Sequence, residues 1–293
     1  MQIESLRCFC DLVENESFTK AAQINAVTQS AISQTISSLE RVFNSLLIER
    51  SKKLFRLTRE GQVLYDYSKQ ILQTYDSLGS RLQELKDIVS GNIQVATIYS
   101  IGLHDLPPYV KKYMQSYPTV NVHVEYRRSN QVYEDVHSNI VDLGLVAYPV
   151  KDPKLEIVPL RKELLVLICH PQHPFAKQKS VKLKALEGQN FISFEPDTPT
   201  RKALDKILRE SAVAVKHAME FDNVETVKRA GGGGGGGGGG AQSTAIQEIE
   251  KQTVACVKIA DGEFYRPLAA IYKKSRVLSP ALKQFLAVLK GAA

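Results

Sequence analysis

The sequence predicts an α+β, multidomain chain: a small helical N-terminal domain, one long helix and a larger α/β module. Three observations carry this. Apolar residues recur at helical spacing through residues 1–57. From Leu64 to Val89 they recur at alternating steps of four and three. Beyond Ile93, strand-like and helix-like stretches alternate. The 293 residues suit two or three domains at roughly 100–200 residues each. The apolar fraction of 43% and charged fraction of 24% exclude a disordered, collagen-like or disulfide-stapled chain.

In the first segment, Leu6, Phe9, Cys10 and Val13 lie at helical spacing, and Ser17 is placed to cap a second helix carrying Phe18, Ala21 and Ala22. Asn25 suits a left-handed helix stop, because its short polar side chain tolerates positive φ. Thr28 caps a third helix with Ile32, Ile36 and Leu39 on one face. Between Thr28 and Ser38 there is no charge at all. Its outward face therefore offers amides and hydroxyls, Gln29, Ser30, Ser33, Gln34 and Ser37, which can read base edges in a DNA major groove. Taken alone, the same pattern also describes an ordinary amphipathic helix.

The charge of the neighbouring segment shifts the balance towards DNA. Arg41 to Glu60 holds six basic residues against two acidic ones, although residues 1–90 as a whole hold eleven of each. The N-terminal region is neutral but polarised. Arg50, Lys52, Lys53 and Arg56 are the candidate phosphate contacts; by themselves they could equally be a solvated turn. Helix, tight turn, helix and basic hairpin together describe a winged helix-turn-helix over residues 1–58.

Residues 59–90 read as one linker helix opened by Thr58. Its seam runs Leu64, Ser68, Ile71, Tyr75, Leu78, Leu82, Leu85 and Val89, the spacing of a coiled coil and hence of a homodimer. The alternative is a long helix packed on its own domain. Ser90-Gly91-Asn92 ends it. Then Ile93, Val95 and Thr97 alternate as a strand, Leu106–Met114 reads as a helix, Val120–Tyr126 as a strand, Val132–Ile140 as a helix and Asp142–Ala147 as a strand. Glu163–Cys169 opens another such unit, and a helix over Pro280–Leu289 closes the chain. The alternation predicts a mainly parallel sheet.

Ten of the eighteen glycines form one block, Gly231–Gly240, between two helical patterns. At about 0.5–1 kcal/mol each relative to alanine in a regular element, such a run opposes folding. It reads as a placeholder or an engineered replacement for a native segment. Cys8, Cys10, Cys169 and Cys256 form no C-x-x-C pair, as expected of reduced thiols. No secretory signal and no membrane-length apolar run are visible, so a cytoplasmic location away from any membrane is expected. Of the six histidines only His170 and His173 are close, and no Cys or carboxylate cluster completes a metal site. No nucleotide or hydrolase fingerprint appears, so neither cofactor nor enzymatic activity is expected.

The chain resembles a LysR-type transcriptional regulator along essentially its whole length. The resemblance rests on Ser17 to Ala22, Thr28 to Ile36, Leu39-Glu40, Leu47 to Arg50 and Leu57 to Gly61. It continues in Tyr117-Pro118, Asp142 to Leu145 and Cys169 to Pro174. It implies a periplasmic-binding-protein-like effector module of two α/β subdomains, the chain crossing twice between them. Subdomain I would comprise 91–161 and 267–293, and subdomain II 162–266. It also implies an oligomer on an inverted-repeat double-stranded DNA operator, either a dimer or a dimer of dimers, answering to a small-molecule effector in the inter-subdomain cleft. Ser100, after the first strand of the module, would favour an anion. Ser129 matches a position that faces the cleft, and Thr198, Thr200 and Arg201 follow the strand Phe191–Phe194 opposite. Helix capping is the competing account of each hydroxyl. Ser30 stands where family members commonly carry proline, and Gly231–Gly240 where they show an apolar strand. Two other classes remain open: a catalytic α/β protein with a nucleic-acid-binding extension, and a constitutive architectural DNA binder.

Overall fold

The computed structural model describes residues 2–51, 54–84, 89–232 and 236–291. The chain divides into two compact units, one built on residues 1–88 and the other on 89–137, 141–276 and 280–293.

The first unit begins with helices α1 (Ile3–Asn15), α2 (Phe18–Ile24) and α3 (Gln29–Phe43). The hairpin strands β1 (Ile48–Ser51) and β2 (Leu54–Leu57) come next, then α4 (Arg59–Glu84). Leu6, Phe9, Leu12, Ala21, Ile32, Ile36, Leu39, Leu47, Tyr65 and Leu72 form its core. The hydroxyls of Ser17, Thr28 and Thr58 accept from the amides of Lys20, Ala31 and Gly61, so all three caps are where the sequence puts them. Thr58 Oγ1 also donates to the Leu46 carbonyl at 2.6 Å. Gly61 allows α4 to lie against the strand entry, because a Cβ there would run into the Leu47 carbonyl oxygen.

Two local expectations are corrected. Asn25 is not left-handed: its φ is −88°, and its side-chain amide donates to Asp11 (2.7 Å) and the Ala21 carbonyl (2.9 Å). The left-handed turn falls one residue later, on Ala26 at φ 52°. The seam of α4 is also divided. Ser68 is buried and Leu64 packs against the unit's own core, because the first turns of α4 must cover α1 through Tyr65 and Leu72. Ile71, Tyr75, Leu78 and Leu82 are exposed. Leu85 lies outside the described residues, and Val89 is not helical.

The second unit contains, in order, β3 (Gly91–Thr97), α5 (Tyr99–His104), α6 (Pro107–Ser116), β4 (Val120–Tyr126), α7 (Ser129–His137), β5 (Leu143–Ala147) and β6 (Leu155–Cys169). It continues with β7 (Ser180–Val181), β8 (Asn190–Phe194), α8 (Pro199–Glu210), β9 (Lys216–Phe221), α9 (Val224–Gly232), β10 (Gly237–Ala241) and α10 (Ile246–Glu250). It ends with β11 (Ala255–Ile259), β12 (Tyr265–Lys273) and α11 (Pro280–Leu289). The strand order is β4-β3-β5-β12-β6-β10-β8-β9. Parallel trios lie at each end, β4-β3-β5 and β10-β8-β9, as βα crossovers require.

The exceptions to the predicted, mainly parallel sheet lie in its middle. β6 and β12 run antiparallel to each other, and each is antiparallel to its outer neighbour. These two strands are the crossings that make one sheet into two subdomains. Glu163–Cys169 is accordingly the second half of the fifteen-residue β6, not the start of a new unit, and the break expected between Arg161 and Lys162 falls inside that strand.

The glycine block ends α9 and then supplies β10, buried between β6 and β8. Gly238, Gly239 and Gly240 register with Ile168, Leu167 and Val166. Leu167, Leu204 and Ile168 lean into the space that side chains on β10 would take.

Candidate nucleic-acid interface and ligand cleft

On α3, burying Ile32, Ile36 and Leu39 turns Gln29, Ser30, Ser33 and Gln34 to solvent, with Ser37 half-buried beside them. Residues 29, 33 and 37 form one row and 30 and 34 a second. At 1.5 Å per residue they cover about 12 Å, the width of a major groove. Ser30 Oγ lies 2.9 Å from Thr28 Oγ1, which holds its hydroxyl at the helix entrance. In the hairpin, Arg56 is exposed and registers with Glu49, while the backbone of Arg50 pairs with Phe55. Lys52 and Lys53 lie outside the described residues.

In the second unit, a cavity of about 440 Å³ opens between the two subdomains, within the range of small-ligand pockets. It collects residues from the C-terminal ends of β3, β4, β8 and β9, the edge at which open α/β sheets bind ligands. From subdomain I come Ser100, Arg127, Arg128, Ser129, Asn130 and Tyr133. Facing them are Glu195, Asp197, Thr198, Thr200, Lys202, Asp222 and Asn223 of subdomain II, with Arg266 of β12 between. The first residues of α7, α8 and α9 all line this space, where helix dipoles favour negative charge, although Glu195, Asp197 and Asp222 line it too.

The five predicted effector residues differ in what their side chains bond. Ser129 and Thr200 line the cavity without a side-chain partner among the described residues, and Thr200 is only 6% exposed. A hydroxyl with no partner that is open to a cavity can take a ligand or a water molecule. Ser100 lines it too, but its Oγ accepts from Arg266 Nη1 at 3.1 Å. Thr198 also lines the cavity, yet its hydroxyl is used as the α8 cap, accepting from Arg201 N and donating to the Glu195 carbonyl.

Arg201, expected at the effector site, does not line the cavity. Its guanidinium is buried, bonded to Asp205 at 2.8 Å and to Glu220 and the Phe194 carbonyl at 2.7 Å, because a buried cation needs such partners.

Arg128, Glu195, Asp222 and Arg266 are site residues that sequence reasoning missed. The usable signal was positional, since the first three stand just past the ends of β4, β8 and β9. Tyr133 accepts from the Val150 amide at 2.9 Å, and burial raises its phenol above the ordinary value, so it stays a neutral donor in the wall.

A winged helix-turn-helix joined by a long helix to a two-subdomain ligand-binding unit defines a DNA-binding regulator rather than an enzyme. Residues 3–62 match the bacterial regulatory helix-turn-helix proteins of the lysR family, and residues 86–293 match the LysR substrate binding domain. The chain belongs to the LysR family of transcriptional regulators. It is 26% identical over 291 residues to the HTH-type transcriptional regulator CysL of Bacillus subtilis (strain 168), covering 99% of this chain and 97% of that one. Among solved structures, full-length OxyR from Pseudomonas aeruginosa superposes with a TM-score of 0.79 at 19% identity, covering 100% of this chain and 94% of that one. The regulatory domain of CcmR from Synechocystis PCC6803, in complex with 2-PG, gives 0.64 at 24% identity, covering 69% and 97%. No helix among the described residues is long and apolar enough to cross a membrane.

Proposed function

We propose that this regulator acts in the cytoplasm as a homo-oligomer on an inverted-repeat operator and answers to a small anionic effector bound between its subdomains. Gln29, Ser30, Ser33, Gln34 and Ser37 read bases, and Arg50, Lys52, Lys53 and Arg56 hold phosphates. Ile71, Tyr75, Leu78 and Leu82 pair the subunits. Ser129 and Thr200, with Ser100 behind them, receive the effector; it needs no further cofactor.

One observation carries the anionic reading: three helix N-termini and the unpartnered hydroxyl of Thr200 converge on one cavity. CcmR, structurally similar over its regulatory domain, holds 2-PG, which fits the same chemistry.

Two measurements test the proposal. In operator binding, Gln34→Ala relaxes base preference by about 1–3 kcal/mol at one position, whereas Arg56→Ala weakens all sequences alike and lowers the salt slope by about one. In calorimetry against a metabolite panel, anions bind and Thr200→Val weakens them. Tight binding of neutral or cationic compounds alone overturns the effector assignment, and unchanged operator binding in both variants overturns the DNA assignment.

A further inference from the structure

Arg128 is held differently from the other arginines around the cleft. Arg127 beside it is taken by Glu125 and Asp135 of its own subdomain, and Arg266 by Glu163 of the neighbouring strand. Arg128 instead reaches across. Its Nη1 lies 3.0 Å from Glu195 Oε2 and its Nη2 3.4 Å from Asp222 Oδ2, both carboxylates belonging to subdomain II. All three side chains line the cavity, and each is a third to a half exposed. Water and salt therefore screen both pairs and keep them exchangeable. The guanidinium fork is divided between two carboxylates, one nitrogen to each. A ligand carboxylate or phosphate could take both nitrogens at once, the stronger arrangement.

We propose that Arg128 selects for a second anionic group on the effector. The ligand class is a small, two-ended anion: a dicarboxylate or a phosphorylated carboxylic acid. One end sits on Ser129, Thr200 and the helix N-termini, and the other draws Arg128 away from Glu195 and Asp222. A one-ended anion leaves the cross-cleft pairs intact. Because those pairs link the subdomains directly, the exchange replaces a protein–protein link by a ligand-mediated one. That gives the effector a different free energy in the two states, which any ligand-driven change requires. This inference rests on the anionic reading above and adds to it the number of charged ends and the residue that counts them.

The test uses the full chain at fixed ionic strength, titrated calorimetrically with succinate, phosphoglycolate, acetate and inorganic phosphate. Wild type is expected to hold the two-ended anions at least tenfold tighter than acetate or phosphate. Arg128→Gln loses that preference, falling at least tenfold for the two-ended anions and little for the others. The double variant Glu195→Gln/Asp222→Asn, with the competing carboxylates removed, gains severalfold for the two-ended anions. Without ligand, amide exchange over 127–131 and 194–198 quickens severalfold in Arg128→Gln. If anions bind while Arg128→Gln keeps the wild-type preference, or the double variant binds two-ended anions more weakly, this inference is overturned and the anionic reading stands. Unchanged amide exchange in Arg128→Gln also overturns it. If wild type takes up none of the four anions, both fall together.

Discussion

Arg266 Nε and Nη2 both donate to Glu163 Oε2, at 2.8 and 2.5 Å, with the two side chains 3% and 5% exposed. They face each other in register across the two crossing strands. The remaining nitrogen reaches Ser100 on α5, and the second Glu163 oxygen accepts from Ser243 just after β10. One ion pair thus ties an element of each subdomain to the crossing. Removing a single partner leaves a charge buried without its counter-ion. Glu163→Ala or Arg266→Ala is expected to cost about 3–5 kcal/mol in urea unfolding, and the double variant Glu163→Leu/Arg266→Met much less than the sum. Additive losses would contradict this account.

The exposed part of α4 makes a separate prediction. Ile71, Tyr75, Leu78 and Leu82 succeed one another at steps of four, three and four, all open to solvent, whereas Tyr65 and Leu72 are buried in the first unit's core. Tyr75→Glu with Leu78→Glu should therefore dissociate the proposed oligomer in sedimentation velocity while the far-ultraviolet circular dichroism stays that of the folded chain. Tyr65→Ala should act the other way round, lowering stability by about 3–5 kcal/mol through lost packing. An undisturbed sedimentation coefficient in the Tyr75/Leu78 variant would remove α4 as the pairing element.

The first unit was readable because its determinants are local. A cap is decided within three residues, which is why Ser17, Thr28 and Thr58 are capping where the sequence places them. Asn25 was misread because Asp11 and the Ala21 carbonyl, not its own backbone preference, claim its side chain. The fold class and the βα alternation at both ends of the sheet were also legible. The direction of β6 was not, since its outer half pairs with β12 more than a hundred positions away. The same applies to the cleft. Thr200 and Thr198 sit two apart on one helix start, yet only the geometry separates a free hydroxyl from a capping one. Arg128, Glu195 and Asp222 come together from three strand ends that no sequence spacing relates.

The cysteines obey a pH rule that labelling can read. Burial pushes Cys10 up to about 12 and Cys169 and Cys256 to about 11, with neighbouring Cys169 and Glu248 adding to the effect at Cys256. The thiolate is the reactive form, and an ordinary thiol near 8.5 is roughly a tenth ionised at pH 7.5. A group titrating near 11 is ionised only to a few parts in ten thousand, by the same relation. Native protein should take up iodoacetamide slowly at pH 7.5. At Cys256, the partly accessible one, the rate should rise about tenfold per pH unit towards pH 10. Fast labelling of Cys256 at neutral pH in the folded chain would contradict its partial burial beside Val166, Ile168, Ala245 and Val254.

The glycine block can be tested position by position, because its members differ in the room around them. Gly231, near the end of α9, would place a Cβ 3.8 Å from the nearest atom, the Ile168 carbonyl oxygen. At Gly237 the nearest is the Leu167 Cδ1, at 3.2 Å, a side chain packed in the core. Alanine at Gly231 should raise the urea midpoint by the equivalent of about 0.5–1 kcal/mol, chiefly by narrowing the unfolded ensemble. Gly238 and Gly236 should behave in the opposite sense. A Cβ at Gly238 would meet the Ile192 carbonyl at 2.7 Å, and one at Gly236 the Asn190 carbonyl at 2.5 Å, where φ is also +131°. Those atoms belong to β8, which pairs with β10 and cannot retreat without breaking its own ladder. Gly236→Ala and Gly238→Ala are therefore expected to lower the midpoint. Alanine variants at Gly231, Gly236 and Gly238 all shifting it in the same direction would mean that β10 does not hold this register between β6 and β8.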